Sequence, residues 1–162
     1  MYAVTPSSPL RYIRDRLTAD HARLDDLLEQ LLAAFEVDDR ERIQTLWTVF
    51  EAGLVTHLEA EECFLIPDLL RLRERDARTI LAEHGHIRTR LCELGAGIDL
   101  HIVRLSAARA FAFELRAHAC HEEGLYTWAD ENLGEPTRTS LLGAIGSAVR
   151  GAFVAGMTGK AG

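Results

Sequence analysis

At 162 residues, 48% of them hydrophobic, the chain suits one domain with a sizeable core. A formal net charge of −7 argues against nucleic acid or an anionic membrane as the main partner, because both require a basic surface. The cysteines are Cys63, Cys92 and Cys120. With an odd count and no CxxC motif, they argue against a disulfide framework and for a reducing, cytoplasmic setting.

The first residues, Met-Tyr-Ala-Val-Thr-Pro-Ser-Ser-Pro, have no basic start and no long apolar run, so no secretory signal is expected. Ser8 as N-cap and Pro9 in the first turn predict a helix over 9–36. Leu17, Leu24, Leu28, Leu31 and Phe35 form its apolar stripe, with His21 among them. Asp38 and Glu41 have capping-box spacing and predict a second helix over 39–66, stopped by Pro67. Arg71, Arg73, Glu74 and Arg75 read as a charged connection. A third helix over 76–95 carries Ile80, Leu81, Ile87 and Leu91 around His84 and ends at Gly95 and Gly97. A fourth, over 99–132, ends before Gly134. Short links between four amphipathic helices predict an all-α, up-down-up-down four-helix bundle.

An additional C-terminal helix begins at Pro136, with Leu142, Ile145, Val149 and Phe153 as its apolar stripe. Residues 1–135 make the bundle, and 136–162 add the helix and tail of the same domain. The weakly polar stretch 141–157 contains Arg150 and is short for a membrane span. Gly143, Ser147, Gly151 and Ala155 recur every four residues, which lets two helices approach closely. That face serves either packing against the bundle or a homodimer contact.

Two segments share one pattern. His57-Leu-Glu-Ala-Glu61-Glu62-Cys63-Phe64-Leu65 and His118-Ala-Cys-His-Glu122-Glu123-Gly124-Leu125-Tyr126 both read His, three residues, Glu-Glu, one residue, then two large apolar residues. Residues four apart lie on one helix face, about 6 Å apart along the axis. Each segment therefore points an imidazole and a carboxylate the same way. Imidazole suits iron, zinc or copper, and a carboxylate can bridge two metal ions.

His21 and His84 also lie among apolar residues, so each of four helices carries an inward histidine. A lone histidine on an apolar face is more often a hydrogen-bonded core residue than a ligand. Four buried imidazoles and two buried carboxylates would each cost several kcal/mol if unpaired, and metal coordination removes that cost. Counted from the predicted turns, however, His21 and His57 differ in depth by about five residues, or about 7 Å.

The other polar residues read differently. His86 and His101 are expected to be solvated, and Glu59, Glu62 and Glu123 to be surface acids. Glu114, four before His118, is placed to orient an imidazole, and His121 is a weaker companion. Trp47, Trp128 and Tyr126 read as packing residues, and Cys63 and Cys120 as small core residues.

With these residues in place, the chain resembles the hemerythrin-like, or HHE cation-binding, family over about residues 9–132. The matching pieces are Asp20-His21, His57-x-x-x-Glu61 ending in Ile66-Pro67, Glu83-His84, and His118-x-x-x-Glu122. The resemblance implies a non-heme di-iron centre of two iron ions bridged by an oxo, hydroxo or water oxygen. It makes His21, His57, His84 and His118 iron ligands, and Glu61 and Glu122 bridging carboxylates.

The chain departs from the dioxygen carriers of that family. They have a further histidine four residues before the position of His84, where this chain has Ile80, and Arg88 stands four after it. They also have an aspartate five residues after the fourth-helix histidine, where this chain has Glu122 at a four-residue step. About two nitrogens per iron leave positions for water or an exogenous ligand. The expectation therefore moves from reversible dioxygen carriage to sensing or handling dioxygen, nitric oxide, peroxide or iron. Alternatives are a di-iron oxidoreductase or iron-centre repair protein, for which no proton donor is evident in the sequence, or a metal-responsive regulatory module. A structural zinc bundle is the plainer reading, but structural zinc usually takes four closed ligands, often with cysteine.

Overall fold

In the computed structural model, residues 12–145 are described, and among them every regular element is helical. The long helices are α1 (Ile13–Glu36), α2 (Arg40–Phe64), α4 (Glu74–Asp99) and α5 (Leu105–Asn132), with short α3 (Ile66–Leu72) between α2 and α4. A further helix, α6, spans 135–145 of the described residues. α1 packs on α2 and α5, and α4 packs on the same two, which closes a four-helix ring. The expected all-α up-down-up-down bundle with an added C-terminal helix is the observed architecture.

Local sequence explains most boundaries, with corrections to the expected ones. α1 begins at Ile13 with no cap from Tyr12. Its first amides instead donate to the Asp130 carboxylate of α5, Ile13 N at 2.7 Å and Arg14 N at 3.1 Å. The proposed Ser8–Pro9 start lies outside the described residues. The cap of α2 is Asp39, whose side chain accepts from Arg42 N at 3.1 Å. Asp38, expected to be the cap, is the left-handed turn residue, with φ of 52°, a role that aspartate tolerates.

α2 ends at Phe64, close to the expected stop before Pro67, but that proline also opens the next helix. It sits in the first turn of α3, where its missing N–H costs nothing. The presumed charged connection is therefore helical up to Leu72, and α4 starts at Glu74.

Gly95 and Gly97 do not end α4, which continues to Asp99. The chain turns afterwards, at His101 with φ of 56°, and α5 begins six residues later than expected. Both glycines answer tertiary contacts. A Cβ on Gly97 would lie 2.6 Å from Val103 Cγ2, and one on Gly95 would lie 3.3 Å from Trp47 Nε1.

The core has two apolar parts. One holds Leu24, Leu28, Leu31, Trp47, Phe50, Leu54, Ile87, Leu91 and Phe111, with the Phe50 and Phe111 rings edge-on at 6.3 Å. The other holds Ile13, Leu17, Leu65, Ile66, Leu69, Ile80, Leu125 and Tyr126, together with Leu141 and Ile145 of α6. Along every long helix, the histidines singled out above fall between these parts.

Some expected core positions are not core. Leu81 is exposed. On α6 the buried residue is Leu141, and Leu142 is half-buried. Val149, Phe153, Ser147, Gly151 and Ala155, hence most of the proposed dimer face, lie outside the described residues. Cys63, Cys92 and Cys120 are exposed and unpaired. None of the described helices is long and apolar enough to cross a membrane.

Gly85 and Gly97 give a matched test of this packing. A Cβ on Gly85 meets nothing within 4 Å, so Gly85→Ala should stabilise the chain by roughly 0.5–1 kcal/mol through helix propensity. Gly97→Ala gains the same propensity but overpacks against the stiff Val103, a change that costs about 1–3 kcal/mol. Urea midpoints should therefore move in opposite directions for the two variants.

Candidate metal centre

Four helices deliver polar side chains to one point between the apolar parts. α1 supplies His21, α2 His57 and Glu61, α4 His84, and α5 His118 and Glu122. Glu61, Glu122, His84 and His57 are at most 2% exposed, and His118 is 7% exposed. His21 is half-buried.

The i,i+4 pairs face inward as their spacing requires. His57 Nε2 lies 3.6 Å from Glu61 Oε2, and His118 Nε2 lies 3.2 Å from Glu122 Oε1. The depth mismatch counted from the predicted turns disappears, since the His21 and His57 Nε2 atoms are 2.9 Å apart.

The histidines form two pairs, with ring centroids 4.6 Å apart for His21–His57 and 5.0 Å for His84–His118. The carboxylates lie between the pairs. Glu122 Oε2 is 3.4 Å from His21 Nε2, and its Oε1 is 3.4 Å from His84 Nε2. Glu61 Oε2 is 3.5 Å from His84 Nε2. Two groupings could each hold a metal ion: Glu61, His84, His118 and Glu122, and His21, His57 and Glu122. They share Glu122.

Three histidines are oriented in one way. Nε2 points inward while Nδ1 meets a carboxylate outside: Asp20 for His57 at 2.9 Å, Glu62 for His84 at 3.0 Å, and Glu83 for His118 at 2.7 Å. Each carboxylate is held in turn by a nitrogen group. Arg23 holds Asp20, Arg88 holds Glu62, and His121 bonds Glu83. A carboxylate on the far nitrogen fixes the ring and raises the basicity of the inner one.

Several sequence expectations change here. Glu62 is not a surface acid. Glu114 orients none of the four histidines and faces His86 and Arg90 instead. Glu83 takes that role for His118, with His121 behind it. Glu59, Glu123, His86 and His101 are exposed as expected.

Tyr126 is more than packing. Its hydroxyl is buried within the cluster, 2.5 Å from Glu61 Oε1, 2.9 Å from Glu122 Oε2 and 3.2 Å from His21 Nε2. The single O–H is shared between two carboxylates and ties them together. Its position four residues after Glu122 was the available sequence signal.

Without metal, protons occupy the cluster. Burial is the largest influence on the imidazoles and lowers their pKa values, but carboxylates reverse it: Glu122 and Glu61 at His84, Glu61, Asp20 and Glu122 at His57, and Glu122 and Glu83 at His118. His84 is raised to about 10, and His57 and His118 are also raised. Burial likewise pushes Glu122 up, but His118, His21 and His84 bring it well below the usual carboxylate value. Burial and the Glu61 and Glu122 carboxylates push Tyr126 well above the usual phenol value, so its hydroxyl keeps its proton.

Two inner atoms, Glu61 Oε2 and His118 Nε2, are buried with no hydrogen-bond partner. Buried polar atoms of this kind carry a full desolvation cost, and a cation among the imidazole nitrogens and carboxylate oxygens would remove it. The cluster fits a metal site on that ground and on its donor chemistry.

Two predictions follow from this geometry. Tyr126→Phe leaves both carboxylates short of a donor and should cost the metal-free protein about 1–3 kcal/mol, read from denaturant midpoints. The raised His84 value implies that protonation stabilises the metal-free fold fully below about pH 6.5, and that this stability is lost as pH rises toward about 10. Metal must displace those protons. The melting temperature of metal-free protein should therefore fall across that window while the increment on adding metal grows. A metal-free melting temperature that climbs with pH would contradict this.

The family model of the hemerythrin HHE cation binding domain matches residues 12–129. No curated protein and no solved structure matches the chain. The matched span begins at the residue before α1 and runs nearly to the end of α5, so it includes every residue of the buried cluster. The chain belongs to the hemerythrin HHE cation-binding family.

Proposed function

We propose that this chain is a non-heme di-iron protein that senses or handles dioxygen, nitric oxide, peroxide or iron. His21 and His57 would hold one iron ion, His84 and His118 the other, and Glu61 and Glu122 would bridge them. The single observation that carries this reading is Glu122, whose two oxygens face different histidine pairs at 3.4 Å each. When bound, iron would supply the redox chemistry toward these small molecules.

The side chains prepare that chemistry. Asp20, Glu62 and Glu83 hold three imidazoles with Nε2 inward. Tyr126 fixes the facing edges of the two bridging carboxylates. Ile80, one turn before His84 and buried, contributes no nitrogen, so the ligand set is left open to an exogenous small molecule. A reducing, cytoplasmic setting belongs to the same reading, on the odd cysteine count and the lack of a CxxC motif.

A second reading, a peroxide- or nitric-oxide-consuming oxidoreductase, draws support from Tyr126. Its hydroxyl donates hydrogen bonds to both carboxylates inside the cluster, a contact that the sequence alone did not reveal. Such an enzyme needs an external electron donor.

Elemental analysis of protein made with adequate iron tests the ligand assignment. Close to two irons per chain are expected. His57→Ala and His118→Ala should each remove most of that iron, and stoichiometric iron in either variant would overturn the assignment. Turnover of peroxide or nitric oxide no faster than with free iron would dismiss the enzyme reading and keep the sensing one.

A further inference from the structure

A cavity of about 430 Å³ opens between α1 and α5 and runs into the bundle. Buried Leu24, Leu28, Phe50 and Leu54 line its inner part. His21, His57 and His118 also line it, so it meets the metal centre. Its outer part carries Thr18, Ala22, Asp25 and Arg116, which are exposed or half-exposed. Arg116 bridges the two helices there through Asp25, at 2.7 Å, and Glu29.

A diatomic gas needs far less room. Cavities of about 300–1,000 Å³ with mainly apolar walls and a few convergent polar groups are those that enclose small organic ligands. Polar groups lie at both ends, with the histidines at the inner end and Thr18, Asp25, Arg116 and Glu123 among the remaining lining residues. On the metal reading, on which this inference rests, two divalent ions are only half neutralised by Glu61 and Glu122. The inner end then favours an anion with oxygen donors, and the walls favour a hydrocarbon body.

We propose that this cavity binds a small monocarboxylate with an apolar body, its carboxylate directed at the metal centre and its chain lying along Leu24, Leu28, Phe50 and Leu54. The ligand would set access of small molecules to the centre by filling the cavity.

The test is calorimetric titration of the iron-loaded full chain with butyrate, hexanoate and octanoate. Each added methylene buried along the wall should tighten binding about fourfold. Ala22→Trp, at an exposed position over the cavity, and Leu28→Phe, within it, should each weaken octanoate binding at least tenfold with iron content unchanged. The exposed position of Ala22 keeps the test open if Leu28→Phe folds poorly.

Octanoate binding no tighter than butyrate, or unchanged in Ala22→Trp, overturns the cavity proposal and leaves the metal reading standing. A chain that retains no iron yet keeps the fourfold steps overturns the metal reading and, with it, the placement of the carboxylate at the metal centre.

Discussion

The constraint on which this structure depends is the burial of two carboxylates in an otherwise apolar bundle. Glu61 and Glu122 are almost wholly removed from water, and a lone buried carboxylate costs many kcal/mol. Compensation comes from their own two helices and from α1 and α4, as imidazole nitrogens and one phenol. No single helix could keep these acids inside. The bundle is therefore specified at its centre by charge pairing and at its two ends by apolar packing. A slip of one helix by a turn would leave a carboxylate unpaired, so the polar layer sets the register that leucine packing alone would leave loose.

The arrangement is ordered in shells. Inner atoms face one another across 2.5 to 3.6 Å, and outer imidazole nitrogens rest on Asp20, Glu62 and Glu83, which rest on Arg23, Arg88 and His121. His21 stands apart. Among the described residues its Nδ1 has no such carboxylate, and it is the most exposed of the four histidines. The two metal groupings are thus unequal in support, the one containing His84 and His118 being held from outside at both rings.

The periodicity that located the helices also paired His57 with Glu61 and His118 with Glu122, because residues four apart share one face, while His21 and His84 were read from their apolar neighbours and the set of six from the family resemblance. The turns were less legible. Gly95 and Gly97 read as a helix end because glycine usually marks one. Here their lack of a side chain answers Trp47 and Val103, contacts visible only once the helices pack. Pro67 read as a stop, although a first-turn proline can open α3. The supporting carboxylates were hidden for a related reason. Glu83 reaches His118 and Glu62 reaches His84 across helices, and local spacing contains no such information. Glu114 was favoured for its spacing and faces elsewhere. Tyr126 was within reach of the same four-residue rule that paired His118 with Glu122, and its aromatic ring led to the packing reading.

The clamp of Asp130 on the first amides of α1 joins positions 117 residues apart. Helix α1 begins only where α5 is nearly finished. During synthesis, residues emerging from the ribosome can form the α1–α2 hairpin, but its first turn stays without this acceptor until the chain has grown past Asp130. The inner cluster has the same dependence, because His118 and Glu122 belong to the last long helix. Completion of the inner cluster thereby requires elongation through α5, and a ribosome-stalled fragment ending before His118 carries only four of its six residues, His21, His57, Glu61 and His84.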